Sequence, residues 1–90
     1  MFYTYMLRCR DQTLYTGITN NLEKRLNSHN QGKASRYTRT RLPVYYVYLE
    51  ICENKSEALK REYSLKRLSK ENKEKIVREY QEKLKKGPQI

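Results

Sequence analysis

Residues 2–9, FYTYMLRC, and residues 13–18, TLYTGI, decide the fold. Each is short, rich in aromatic or β-branched residues, and the polar trio Arg10-Asp11-Gln12 between them has turn composition, so the pair predicts a hairpin. In a strand, alternate side chains share a face. Tyr3, Tyr5, Leu7 and Cys9 therefore share one face of the first strand, and Phe2, Thr4, Met6 and Arg8 the other. In the second strand Tyr15 and Gly17 fall together, and a glycine inside a strand marks close approach by another group.

Outward from the hairpin, the pattern becomes helical. Asn20 is a candidate N-cap with Glu23 three residues on, Leu22 and Leu26 form an apolar stripe, and Gly32 is placed to end the helix. Residues 33–43, KASRYTRTRLP, form a basic loop with room for one helical turn. Residues 44–52, VYYVYLEIC, have the composition of a third strand. Asn54 or Ser56 caps a second helix, with Ala58, Leu59, Glu62, Tyr63 and Leu65 along its inner side. Ser69 caps another, with Ile76, Val77, Tyr80 and Leu84 at helical spacing, until Gly87-Pro88 ends it. The expected fold class is α+β: a three-stranded, mainly antiparallel sheet flanked by helices, in the order β-β-α-β-α-α. The expected domain covers residues 1–86, followed by a frayed tail at 87–90. Strands are expected near 2–9, 13–18 and 44–52, and helices near 21–31, 56–67 and 70–85.

Ninety residues suit one domain with a thin core, burying about 60–65% of the surface that the unfolded chain exposes. The formal charge is +10, unevenly spread. Between Lys24 and Leu49 there are six basic residues (Lys24, Arg25, Lys33, Arg36, Arg39, Arg41) and no acid, whereas the stretch from Glu50 onward is mixed. A one-sign block favours a polyanion partner, chiefly nucleic acid; a solubility surface is the plainer alternative. Cys9 and Cys52 fit neither a metal spacing nor a disulfide framework, and no apolar run is long enough to cross a membrane. A reducing cytoplasm is the expected compartment.

Four features could carry chemistry. Tyr5 and Tyr15 stand on facing strands, although tyrosine is also an ordinary strand residue. Arg25 and His29, four apart on the first helix, lie within about 40° of each other, beside the leucine stripe. A solvated arginine and a histidine favoured by the helix C-terminus would explain each separately. Glu62 lies on the apolar side of its helix, where a carboxylate is costly unless paired, with Arg25 for instance, or bound to a metal. The run KASRYTRTR mixes cations, an aromatic ring and hydroxyls, as a phosphate-tracking surface does.

Together these residues resemble the GIY-YIG nuclease superfamily. Tyr3-Thr4-Tyr5 and Tyr15-Thr16-Gly17 match its two signature tripeptides. YTGITNNLEKRLNSHNQG is similar to the second motif running into a helix that carries Arg25 and His29. EALKREYSLK is similar to the later motif whose glutamate, here Glu62, binds metal. The match covers about the first 70 residues and is closest to small stand-alone bacterial members. Tyr3 replaces the first signature glycine, Thr4 and Thr16 replace isoleucines, and Ile18 stands where excision-repair relatives carry a basic residue.

The resemblance implies a divalent-metal-dependent endonuclease that hydrolyses DNA phosphodiester bonds with little sequence specificity. One Mg2+ or Mn2+ ion would sit on Glu62. Arg25 would stabilise phosphate charge, and Tyr5 would activate or position water. His29 would accept or relay a proton, and Tyr15 would orient phosphate or water. Lys33, Arg36, Tyr37, Arg39 and Arg41 would contact nucleic acid, DNA in preference to RNA. A protein partner would supply specificity, and no membrane is expected to be involved. A non-catalytic nucleic-acid-binding module of the same fold is the alternative; an RNA-associated accessory protein is a third, resting on charge alone.

Overall fold

The computed structural model describes residues 1–86. In chain order its elements are β1 (Phe2–Arg8), β2 (Leu14–Thr19), α1 (Leu22–Asn30), α2 (Arg36–Arg39), β3 (Tyr45–Cys52), α3 (Lys55–Lys66) and α4 (Lys70–Lys86). The strands form one antiparallel sheet in the order β2-β1-β3. The expected hairpin is present. Its turn is pinned by Asp11, whose carboxylate accepts from the Thr13 amide (3.1 Å) and hydroxyl (2.6 Å), while Gln12 takes a positive φ of 72°. The loop between α1 and β3 does contain one short helix, α2. The end at Gly87-Pro88 and the tail at 87–90 lie outside the described residues.

Because β1 is central, both of its faces are covered. Tyr5 and Leu7 join Cys9 and Val44 in a cluster flanked by Tyr15, Leu26, Leu42, Tyr46 and Leu49, on the side of α1. Met6 points the other way, into a cluster with Val47, Tyr48, Leu65 and Val77 beneath α3 and α4. On that second side the Thr4 hydroxyl donates to the Ala58 carbonyl at 3.0 Å, fastening α3 to β1. A bulge in β3 supports this division. Met6 pairs with Tyr48 and Leu7 with Tyr46, leaving Val47 as an extra residue that packs on the Met6 side. Arg8 and Glu74 form a two-pronged ion pair at 2.6 and 2.8 Å between β1 and α4. Gln81 donates to the Val47 carbonyl at 2.9 Å, tying α4 to β3.

Several local expectations need correction. The N-cap of α1 is Asn21, not Asn20: its side chain accepts from the Lys24 amide at 3.0 Å. The Thr19 hydroxyl accepts from the Asn21 amide at 3.1 Å, which delays the helix by a residue and leaves Glu23 in the first turn rather than in a capping box. Asn54 and not Ser56 caps α3. Leu59 and Tyr63 are exposed, at 45% and 63%. Ala58 and Leu65, two turns apart, set the buried line of α3; Leu59 lies one residue, about 100°, round from it, and Tyr63 points well away. Leu84 is exposed too, near the far end of α4. Gly32 ends α1 as expected, with φ +77° and its amide donating to the His29 carbonyl at 2.9 Å. Both cysteines are free and buried near strand ends.

Candidate active site

The hairpin register sets Tyr5 directly opposite Gly17. A Cβ on Gly17 would lie 2.6 Å from Tyr5 Oη, 2.8 Å from its Cζ and 3.2 Å from Tyr15 Cε2. The tyrosine hydroxyl therefore occupies the space that any other residue would need, which gives the strand glycine its physical reason. Tyr15 lies beside Tyr5 with ring centroids 6.5 Å apart. Tyr46, from β3, meets Tyr5 edge-on at 5.3 Å, and its own hydroxyl donates to the Leu22 carbonyl at 2.7 Å.

Helix α1 brings His29 to the same place. Its Nε2 is 2.9 Å from Tyr5 Oη, and its Nδ1 is 2.9 Å from Thr38 Oγ1. The end of α1 is held by Asn30, whose side chain donates to the Val44 carbonyl at 3.1 Å and accepts from the Val44 amide at 2.9 Å. Burial, reinforced by the Arg25 charge, lowers the His29 pKa to about 4, so the imidazole is neutral at pH 7. Burial, chiefly, also raises the Tyr5 phenol well above its ordinary value, with Tyr15 adding to the shift and Arg25 opposing it. Glu62 raises it further, so the Arg25 and Glu62 charges both lie within electrostatic reach of Tyr5. Burial raises Tyr46 to about 12, again against Arg25.

Tyr5, Tyr15 and His29 are in direct contact, while the Arg25 and Glu62 charges act on Tyr5 from farther off. Tyr5 and His29 are each only 1% exposed. Tyr15, Arg25 and Glu62 are half-buried. Arg25 opens onto a groove of about 290 Å³, lined by Thr19, Asn20, Asn21, Lys24 and Ser28. Glu62 does not pair with Arg25; its carboxylate meets Lys66 at 3.4 Å on the same helix. Among the described residues no three His, Cys, Asp or Glu side chains assemble into a metal-holding group. The donor set at Glu62 is therefore a single carboxylate, which fits Mg2+, an ion that keeps most of its waters and takes few protein ligands.

The basic loop divides into two kinds of residue. Lys33, Arg36 and Arg39 are exposed. Tyr37 and Arg41 are built into the structure. The Tyr37 ring stacks on Tyr15 at 6.1 Å and 26°, and the Arg41 guanidinium covers Tyr37 at 3.8 Å from the ring centre. Arg41 also pairs with Asp11 at 2.9 Å and donates to the Tyr37 carbonyl at 2.8 Å. Its charge is engaged inside the fold, unlike those of Arg36 and Arg39.

Sequence reasoning missed Thr38 and Tyr46. Thr38 stands in a run dominated by cations, where nothing announces a fully buried hydroxyl. Tyr46 was one tyrosine of three in its strand, and the bulge beside it hides its face from simple alternation.

The chain matches the GIY-YIG catalytic domain family over residues 1–75. It is 53% identical over 77 residues to a UPF0213 protein of Bacillus licheniformis, covering 86% of this chain and 79% of that one. With a UPF0213 protein of Clostridium perfringens it shares 52% over 77 residues, 86% of this chain and 83% of the other. The solution NMR structure of a UPF0213 protein from Bacillus halodurans superposes with a TM-score of 0.56 at 39% identity, over 98% of this chain and 89% of that chain. A solution NMR structure from E. faecalis gives 0.60 at 36% identity, over 90% and 86%. A paired-tyrosine hairpin backed by a helix with arginine and histidine thus belongs to a nuclease superfamily. The chain is a member of the GIY-YIG family.

Proposed function

We propose that the chain is a divalent-metal-dependent endonuclease that hydrolyses DNA phosphodiester bonds with little sequence specificity. The observation that carries this reading is the buried 2.9 Å contact between Tyr5 Oη and His29 Nε2, with the charges of Arg25 and Glu62 acting on Tyr5. Hydrolysis needs a water relieved of its proton, a sink for charge on phosphate, and stabilisation of the leaving oxygen. Tyr5 accepts the water proton on Oη while its own proton passes to His29 Nε2. Both groups start neutral, so no phenolate has to exist at rest. The hydroxide formed attacks phosphorus as the P–O3′ bond breaks. Arg25 meets the added charge on the non-bridging oxygens, and Tyr15 orients the phosphate. Glu62 would hold one Mg2+ or Mn2+, which when bound neutralises phosphate charge and stabilises the leaving oxygen.

Lys33, Arg36 and Arg39 are exposed and suit phosphate contacts. The purified protein is to be incubated with single-stranded, duplex and branched DNA, and with RNA, in Mg2+, Mn2+ or EDTA. Metal-dependent cleavage of DNA, lost in Glu62→Ala with binding intact, is the expected result. The second reading is a non-catalytic nucleic-acid-binding module, favoured by the 1% exposure of Tyr5. Salt-dependent binding without cleavage under any metal would establish it instead.

A further inference from the structure

Thr38 belongs to neither signature tripeptide, yet it is fully buried and its hydroxyl is 2.9 Å from His29 Nδ1. The turn carrying it is fixed on several sides. Ser35 caps α2, accepting from the Tyr37 amide at 3.1 Å, and Tyr37 stacks on Tyr15. Arg41 links the segment to Asp11 in the hairpin turn, and the Arg10 amide donates to the Arg41 carbonyl at 2.9 Å. A hydroxyl so constrained has few ways to place its proton.

Two hydrogen-bond arrangements are conceivable for the chain Tyr5, His29, Thr38. In the first, Tyr5 Oη–H donates to Nε2, Nδ1–H donates to Thr38 Oγ1, and Thr38 Oγ1–H donates to the Ser35 carbonyl at 3.4 Å. Every donor then has an acceptor. In the second, Thr38 donates to Nδ1 and Nε2–H donates to Tyr5. The Tyr5 hydrogen then has no acceptor among the described side chains, and the Thr38–Ser35 bond is lost. The first arrangement alone keeps both the Thr38–Ser35 bond and a protein acceptor for Tyr5, so it prevails. Which ring nitrogen carries the proton is set by the bond the other one makes.

We propose that Thr38 is a positioning residue that fixes His29 in the Nδ1–H tautomer, with Nε2 as a permanent proton acceptor aimed at Tyr5. The short helix α2 is then part of the site: it turns a solvent-excluded histidine into a one-directional acceptor. The inference deepens the proposed nuclease reading, because the relay from water through Tyr5 requires a bare Nε2. A His29 in the other tautomer would have to shed a proton before it could receive one. The proposed direction balances as written. The water proton goes to Tyr5 Oη and the Tyr5 proton to Nε2, so His29 becomes an imidazolium whose Nδ1–H remains on Thr38 Oγ1.

The test uses the chain's only histidine, which makes its ring nitrogens unambiguous. Long-range proton–nitrogen NMR correlation on uniformly labelled protein at pH 7 reports the tautomer without any assay of activity. The wild type should give a protonated Nδ1 and an unprotonated Nε2. Thr38→Val, which removes the hydroxyl with little change in shape, should mix or reverse the two. Thr38→Ser should restore the wild-type pattern. Where cleavage is measurable, Thr38→Val should lower kcat by about 10–100-fold, as loss of a partner that orients a working imidazole does. KM should change little, and Thr38→Ser should recover the rate. A wild-type His29 protonated at Nε2 overturns the proposal. So does a Thr38→Val protein with an unchanged ring signature. If Thr38→Val does not fold, the wild-type and Thr38→Ser spectra still decide. Absence of nuclease activity alongside the expected tautomer would count against the function reading and leave the role of Thr38 standing.

Discussion

The two faces of the sheet differ in kind. On the side of α3 and α4, Met6, Val47, Leu65 and Val77 make an apolar cluster whose ion pairs stay at its rim. On the side of α1 and α2, Tyr5, His29 and Thr38 carry a buried line of hydrogen bonds between aromatic rings. Both arise from neighbouring positions of β1, since Met6 and Tyr5 point in opposite directions. The first face stabilises by excluding water, at about 1.5–3 kcal/mol for each fully buried side chain. The second holds polar groups that are tolerable only while fully partnered. A fold of this size can contain such a face because the opposite one provides the apolar packing.

The polar face should be the one that responds to pH. The His29 pKa is lowered to about 4, whereas an unfolded histidine titrates near 6.5. Between those values the unfolded chain binds the extra proton. Stability contributed by the neutral imidazole is therefore full above pH 6.5 and is lost as pH falls toward 4. Each unit of separation corresponds to about 1.4 kcal/mol. Denaturant titrations at stepped pH should show this slope in the wild type and a shallower one in His29→Gln. An equal slope in both would assign the acid sensitivity elsewhere.

Gly17→Ala sharpens the contrast from the other strand. The added methyl collides with Tyr5 Oη, so the tyrosine must move and the bond to His29 must lengthen or break. Overpacking of this sort costs about 1–3 kcal/mol. A lowered Tm together with a changed His29 ring signal is the expected outcome; an unchanged ring signal would mean that Tyr5 is freer than its surroundings imply.

The smallest effect concerns the surface. Arg36 and Arg39 are exposed, whereas Arg41 is engaged with Asp11 and Tyr37. Reversing Arg36 and Arg39 to Glu should weaken DNA binding and flatten its salt dependence by about one unit of slope for each phosphate no longer neutralised. Reversing Lys83, Lys85 and Lys86 at the end of α4 should change it less. Equal losses would describe diffuse charge attraction and no defined track.

Much of this was legible in the sequence, for definable reasons. The hairpin and its tyrosines showed because strand alternation and turn composition are local. Arg25 and His29 showed because a helical spacing of four is local too. The depth of the site was not legible: the burial of Tyr5 depends on Tyr46 arriving from β3, past a bulge that shifts the register. Helix α3 misled because its apolar residues are spread around the axis, and only packing on β1 selects Ala58 and Leu65 over Leu59 and Tyr63. Thr38 became visible only when the basic loop folded back on α1.

The most direct test sets adjacent residues of β1 against each other in one cleavage assay. Tyr5→Phe removes a single hydroxyl from the polar face, and Met6→Ala opens a cavity in the apolar one. Single-turnover DNA cleavage in Mg2+ is to be followed beside Tm and DNA affinity. Tyr5→Phe should stay folded and bind DNA while cleaving about 10²–10⁴-fold more slowly, the range of a lost acid–base group. Met6→Ala should lose about 2–5 kcal/mol of stability yet cleave near the wild-type rate at temperatures where it remains folded. Cleavage by Tyr5→Phe at the wild-type rate would contradict the assignment of chemistry to this face.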